Sequence, residues 1–135
     1  MTSFEAKVRP QPPEISDLTR RCGAFLEQAG VDARTTHHVA MFLEELLTNL
    51  ATHGGSADEP AGIRISVDPG RVQVEVKDSG PPFDPLSAPD PDLTASVEDR
   101  EIGGLGLFLM RQIASDLYYR RDGVHNYTGF SVRRS

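Results

Sequence analysis

Apolar side chains recur every three or four residues along two stretches of the chain, and this spacing predicts two amphipathic helices. The first apolar stripe contains Ile15, Leu18, Cys22, Phe25, Leu26 and Ala29. The second contains Val39, Phe42, Leu43, Leu46, Leu47 and Leu50. Ser16 and Asp32 are the expected N-terminal caps, because their side-chain oxygens can accept hydrogen bonds from free backbone N–H groups. Gly30 is placed to end the first helix, and the second should end near Gly54 and Gly55.

Alternating apolar and polar positions predict the strands. The alternation is weak over 4–8 and clear over 63–67 and 72–76, with a hairpin turn expected at 68–71. A third helix is predicted from Gly103 through Ala114, followed by strands at 117–121 and 127–132 around a turn at Asp122-Gly123. This order of elements predicts an α+β fold, a two-layer sandwich with a mixed or antiparallel sheet and three helices on one face.

The length and composition narrow the class of protein. A chain of 135 residues fits one domain, spanning 1–135, and 38% hydrophobic content is typical of a globular protein. Cys22 is the only cysteine, which excludes an internal disulfide, and its place on an apolar stripe favours the core. The chain has no apolar run long enough to span a membrane, and its start lacks a signal-peptide pattern. We therefore expect a cytoplasmic protein without membrane contact.

The net charge of −6 argues against direct binding to nucleic acid, but the distribution of that charge is more informative. Residues 84–101 carry six acidic side chains and a single arginine, so this segment alone has a net charge of −5. It also contains three prolines, and residues 84–102 are predicted to form a long loop before the third helix. Loops of this length inside a domain are usually functional lids or disordered segments.

Several common motifs are absent from the sequence: the P-loop, the dinucleotide fingerprint, H-E-x-x-H and G-x-S-x-G. Three other groups of polar and glycine residues follow one another along the chain. Glu45, Asn49 and His53 are spaced four residues apart, so on a helix they line one edge of the apolar stripe. Asp78-Ser79-Gly80 follows a predicted strand, and Gly103-Gly104-Leu105-Gly106 opens the third helix behind the long loop.

In this order and spacing, the three groups resemble the motifs of the GHKL ATPase superfamily, which includes gyrase-type ATPases, Hsp90 and histidine-kinase catalytic domains. The resemblance covers nearly the whole chain. The run from Asp78 to Pro85 is most similar to the short branch of anti-sigma-factor serine/threonine kinases of the SpoIIAB and RsbW type. The N box corresponds to Glu45, Asn49 and His53, the adenine-binding box to 78–80, and the glycine box to 104–106. The resemblance implies an ATP-binding Bergerat fold in which residues 84–102 are the ATP lid.

The resemblance also implies a role for each box, and the residue chemistry fits these roles. The Asn49 carbonyl oxygen is a hard ligand suited to Mg²⁺, and Glu45, one turn earlier, could act as a general base toward a substrate hydroxyl. The Asp78 carboxylate can accept a hydrogen bond from the exocyclic amine of adenine, and Gly80 allows the backbone to approach the ring. The glycine box, together with Gly103, would present backbone N–H groups to the phosphates of ATP at a helix N-terminus.

Three further positions bear on the comparison with the kinases. The kinases carry a basic residue close before the glycine box; here Ile102 occupies that place, and Arg100 is the nearest basic candidate for holding the terminal phosphate. Glu44 is a second candidate base, but it lies about 100° around the helix from Glu45, which favours a solvent-facing position. Thr128, on the last strand, would place a hydroxyl near the adenine.

Several functional hypotheses remain open. In the first, the protein is a Mg-ATP-dependent serine/threonine kinase that phosphorylates an anti-sigma-factor antagonist-like protein and, when free, binds a sigma factor or another effector. In the second, it binds ATP or ADP but acts by partner switching without phosphotransfer. In the third, it is a catalytic domain detached from a sensor histidine kinase. In the fourth, it keeps the fold but binds no nucleotide. The resemblance also implies a homodimer, for which the exposed strand edge near Phe4 to Val8 is suited.

Overall fold

The computed structural model describes residues 2–54, 59–87 and 105–135, with backbone only for His53 and Leu105. Its elements, in chain order, are β1 (Thr2–Val8), α1 (Pro12–Gln28), α2 (Ala33–Asn49), a π-helical turn (Leu50–Gly54), β2 (Ala61–Val67), β3 (Arg71–Asp78), a 3₁₀ turn (Pro85–Ser87), α3 (Leu105–Ile113), β4 (Ser115–Asp122) and β5 (His125–Arg133). Each helix and strand predicted from the spacing of apolar residues is present, with ends that differ by a few residues.

The five strands form one antiparallel sheet in the order β1-β2-β3-β5-β4. Because successive side chains point to opposite faces, alternate residues of β2 and β3 are buried beneath the helices, and their other residues are half-buried or exposed. In β5 the residues from Thr128 to Val132 are all buried, so its middle is covered on both faces. The edge-to-face contact of Phe42 from α2 with Phe130 from β5, 5.9 Å between ring centres, joins the two layers. The predicted α+β sandwich is confirmed, and its sheet is antiparallel throughout the described strands.

Helix α1 begins earlier than the sequence predicts. The helix begins at Pro12 rather than at a cap on Ser16, because a proline in the first helical turn has no N–H to leave unsatisfied and already has a helical φ angle. The predicted end is confirmed. Gly30 has a φ of +80°, its N–H donates to the Glu27 carbonyl, and the N–H of the following residue donates to the Leu26 carbonyl, which forms a Schellman motif.

The cap of α2 and the place of the cysteine are both as predicted. Asp32 Oδ2 accepts hydrogen bonds from the N–H and the hydroxyl of Thr35 at 3.0 and 2.9 Å. The backbone hydrogen bond holds the pKa of the Asp32 carboxyl down at about 2. Cys22 is fully buried in the core, and this burial raises the pKa of its thiol to about 12. Within the described residues, no helix is long and apolar enough to cross a membrane.

Candidate functional site

The N-box residues lie along one side of α2, at the border of the core. Glu45 and Asn49 are both half-buried, whereas Glu44 is exposed, as the helical geometry predicts. The helix then continues as the π-helical turn from Leu50 to Gly54, which contains the backbone of His53. Such turns recur at functional sites, because the extra residue in each turn redirects the chain. The side chain of His53 lies outside the described part of the structure.

Gly106, the last residue of the predicted glycine box, lies against Glu45 of the predicted N box. It is the second residue of α3, and a β-carbon built at this position would lie 3.0 Å from Oε2 and 3.1 Å from Cδ of Glu45. These distances are tighter than ordinary van der Waals contact, so any larger residue at position 106 would have to displace the Glu45 side chain. The start of α3 is held in place by Leu107 and Met110, which are fully buried beneath it.

The Asp78 side chain ends β3 on the inner face of the sheet and is only 8% exposed. Its Oδ1 accepts two hydrogen bonds of 2.9 Å, one from the Gly80 N–H and one from Nδ2 of Asn126. Its Oδ2 accepts none from any residue that the structure describes. A buried carboxylate oxygen with no such partner is a site for a hydrogen-bond donor, because leaving it unpaired is unfavourable.

Asn126 is a site residue that the sequence analysis missed. It is 1% exposed, and the strand register places it directly opposite Asp78. Its Oδ1 accepts from the Tyr119 hydroxyl at 2.6 Å and from Nη1 of Arg121 at 3.1 Å, while its Nδ2 also donates to the Pro81 carbonyl at 3.0 Å. Only the pairing of β3 with β5 reveals this contact, because 48 residues separate the two side chains in sequence.

Thr128 lies one position further along the inner face of β5, opposite Val76 of β3. It is 3% exposed, and its hydroxyl makes no hydrogen bond with the described part of the chain. Asp78 and Thr128 therefore both have unused hydrogen-bonding capacity toward the described residues, and both lie on the inner face of the sheet. The location of Thr128 beside the adenine stays a prediction.

The first residues of the predicted lid are held against α3. Asp84 Oδ1 accepts from the Leu86 N–H at 2.9 Å, and Nη2 of Arg111 donates to the Leu86 carbonyl at 2.6 Å. The remainder of the predicted lid, 88–102, lies outside the described residues, and so do Arg100, Gly103 and Gly104. Leu105 begins α3, but its side chain is not described. The predictions for these residues remain predictions.

The residues that are described fit Mg²⁺ and ATP in their donor chemistry. Magnesium usually keeps several waters and binds through one or two protein ligands and the phosphates of its substrate, so the single amide oxygen of Asn49 is a suitable ligand. Among the described residues, there is no group of three or more His, Cys, Asp or Glu side chains that could form an all-protein metal centre. The unpartnered oxygen of Asp78 and the hydroxyl of Thr128 match the donors and acceptors of an adenine edge.

The face of the sheet opposite the helices carries hollows that do not include the predicted site residues. One, of about 410 Å³, lies over β2, β3 and β5 and is bordered by Arg64 and Tyr118. Another, of about 300 Å³, lies over Gly62, where β2 has no side chain to fill the space. Both hollows are on the far side of the sheet from Asp78 and Glu45. The candidate site is therefore defined by the residues between the helices and the inner sheet face.

The fold and these residues define a class of protein. The sequence profile of the family described as "Histidine kinase-like ATPase domain" matches residues 8–131, so the chain belongs to this family. The superfamily resemblance inferred from the three boxes is thereby confirmed.

Two relatives narrow the comparison to protein kinases. The chain is 34% identical over 99 residues to the serine/threonine-protein kinase BtrW of Bordetella bronchiseptica, an alignment that covers 71% of this chain and 70% of the relative. It is 28% identical over 119 residues to the serine-protein kinase RsbW of Listeria monocytogenes, covering 82% and 76% of the two chains. The predicted resemblance to the short serine/threonine kinase branch is therefore confirmed as well.

A solved structure supports the fold independently of close sequence similarity. The chain superposes with a TM-score of 0.70 on the crystal structure of the RsbU and RsbW domains of a Mycobacterium tuberculosis protein, at 12% identity. The match covers 99% of this chain but only 33% of that larger chain. At this identity the match supports the architecture of the domain alone.

Proposed function

We propose that this protein is a Mg-ATP-dependent serine/threonine protein kinase that acts by partner switching. The observation that supports this most strongly is the contact between Glu45, the predicted general base, and Gly106, the last residue of the predicted glycine box. The named kinases among the relatives support the same activity, because each alignment extends over most of both chains.

In this proposal the nucleotide lies between α2, α3 and the inner face of the sheet. Asp78 accepts a hydrogen bond from the exocyclic amine of adenine, and Thr128 lies beside the base. Backbone N–H groups at the start of α3, from Gly103 to Gly106, bind the phosphates, where the helix dipole favours anions. Asn49 holds Mg²⁺, which would neutralise phosphate charge when bound. His53 and Arg100 are further candidates for binding at the phosphate end.

The proposed reaction transfers the terminal phosphoryl group of ATP to a serine or threonine hydroxyl. Glu45 accepts the hydroxyl proton, the hydroxyl oxygen forms a bond to the terminal phosphorus, and ADP leaves with the bridging oxygen. General base catalysis of this kind contributes about 10²–10⁴ in rate. Glu44 is exposed on the neighbouring side of the helix and serves as a natural control for this role.

The proposed protein substrate is a small antagonist of the anti-sigma-factor antagonist type, and the unphosphorylated antagonist and a sigma factor would be alternative partners. A homodimer through the edge strand β1 and a cytoplasmic location complete the proposal. No contact with nucleic acid is expected, because the chain carries a net charge of −6.

The test is phosphotransfer to candidate antagonist proteins, measured with labelled ATP and Mg²⁺. Wild-type protein should label its antagonist on serine or threonine. Glu45→Gln should lower the rate about 10²-fold or more, and Glu44→Gln should leave it within about twofold. If the protein binds ATP but labels no antagonist, the kinase proposal fails and a nucleotide-binding module without phosphotransfer is the better account.

A further inference from the structure

Asn126 connects the predicted adenine-binding carboxylate to the rest of the fold, and no motif in the sequence assigns it a role. We infer that Asn126 is a positioning residue that gives the site its preference for adenine over guanine. This inference rests on the proposed function, because it assumes that Asp78 contacts the base of ATP. Asn126 itself does not contact the base; it acts through the orientation of Asp78.

The hydrogen bonds of Asn126 fix its amide in one orientation. Nδ2 donates to Oδ1 of Asp78 at 2.9 Å and to the Pro81 carbonyl at 3.0 Å, which uses both amide hydrogens. Oδ1 accepts from the Tyr119 hydroxyl and from the Arg121 guanidinium, which uses both lone pairs. A flipped amide would face its oxygen toward a carboxylate and a carbonyl, so the observed orientation is strongly favoured.

This fixed amide determines which oxygen of Asp78 is available. Oδ1 is held by two donors, the Gly80 N–H and the Asn126 amide, so the carboxylate cannot turn without breaking both bonds. Oδ2 is therefore presented as a hydrogen-bond acceptor in a fixed direction. An acceptor in this position pairs with the amino group at the sixth position of adenine, whereas guanine carries a carbonyl oxygen there and would place two acceptors against each other.

The same amide also fixes the turn that follows β3. Asn126 Nδ2, which donates to the Pro81 carbonyl, also lies 3.3 Å from the Gly80 carbonyl. The Gly80 carbonyl in addition accepts a hydrogen bond of 2.7 Å from Nη1 of Arg121. Arg121 thus bonds both the turn and the Asn126 oxygen. The carboxylate and the backbone next to it are consequently held by one connected network, which has Asn126 at its centre.

The test compares the affinities of ATP and GTP for each variant by titration calorimetry. The ratio of the two affinities is the readout, because partial unfolding lowers both affinities equally and leaves the ratio unchanged. Asn126→Ala should reduce the preference for ATP about tenfold, the value of one buried hydrogen bond to a charged group. Asn126→Asp keeps the shape of the side chain but removes the donor, and should reduce the preference at least as much.

Two further variants keep the test decisive. Ser131→Ala removes a buried hydroxyl from the outward side of the same strand and should leave the ratio unchanged. Tyr119→Phe removes one bond to the Asn126 oxygen and should reduce the preference about threefold, even if the Asn126 variants fail to fold. An unchanged ratio in Tyr119→Phe and in any folded Asn126 variant would overturn the inference while leaving the proposed function intact. If the wild-type protein binds no ATP, both the inference and the proposed function fail.

Discussion

The Glu45 carboxylate of α2 lies against Gly106 of α3 so closely that a β-carbon on residue 106 would be 3.0 Å from Oε2. The two residues are 61 positions apart, and the acidic predicted lid lies between them in sequence. Their contact places the carboxylate of the predicted general base next to a glycine of the predicted glycine box. It also makes the position of Glu45 sensitive to any side chain at residue 106.

Gly106→Ala should therefore impair phosphotransfer more than it impairs folding. The atoms that crowd the new methyl group belong to the side chain of Glu45, so a shift of this side chain relieves the contact. A displacement of a few tenths of an ångström or more at a catalytic group should lower the transfer rate about tenfold to a hundredfold. Gly23→Ala in α1 is the control, because a β-carbon there meets no atom within 4 Å and the rate should be unchanged.

The effects of Gly106→Ala and of the Glu45→Ala substitution should not add. Once the carboxylate is absent, the methyl group at residue 106 has little left to displace, so the second substitution should change the rate by less than about threefold. A double-mutant cycle on the phosphotransfer rate measures this coupling. Fully additive effects would show that Gly106 acts independently of Glu45.

Asp32 should make the stability of the fold depend on pH in the acidic range. Its pKa is lowered from 3.8 to about 2 in the folded protein, so its stabilising effect is present above about pH 4 and is lost as the pH falls toward 2. Asp32→Asn keeps a good helix cap but removes the charge. The difference in Tm between wild type and this variant should narrow from pH 5 to pH 2; a constant difference would contradict the assignment.

Cys22 should be unreactive in the folded protein. Burial raises the pKa of its thiol to about 12, so the reactive thiolate is scarce and no reagent reaches it. At pH 8, a thiol-specific reagent should modify less than about a tenth of the protein in an hour, and should modify all of it in concentrated urea. Because the chain has one cysteine, the extent of labelling reports this residue alone. Rapid labelling without denaturant would contradict the packing of α1.

Local patterns in the sequence were sufficient to predict most of the architecture. The apolar stripes, the Asp32 cap and the Gly30 terminus depend on residues close together in the chain, where spacing alone determines which side chains share a face. The start of α1 lies before the expected cap at Ser16, because Pro12 in the first helical turn has no N–H that needs a capping side chain.

The contacts within the candidate site were harder to predict. The N box and the adenine box could be proposed from residue types and order, but the pairing of Asp78 with Asn126 depends on the register of β3 against β5. The bond from Arg111 to the Leu86 carbonyl likewise joins two segments that have no shared pattern in the sequence. Asparagine and arginine are common on surfaces, so residue type alone gave no signal for either role.

The central claim is that Asp78 and Asn49 belong to one Mg-ATP site, and calorimetric titration with ATP in the presence and absence of Mg²⁺ tests it most directly. Wild-type protein should bind ATP saturably and more tightly with Mg²⁺. Asn49→Ala should abolish the gain from Mg²⁺, and Asp78→Asn should weaken binding about tenfold or more under both conditions. Absence of ATP binding by the wild-type protein, or binding that neither substitution alters, would contradict the claim.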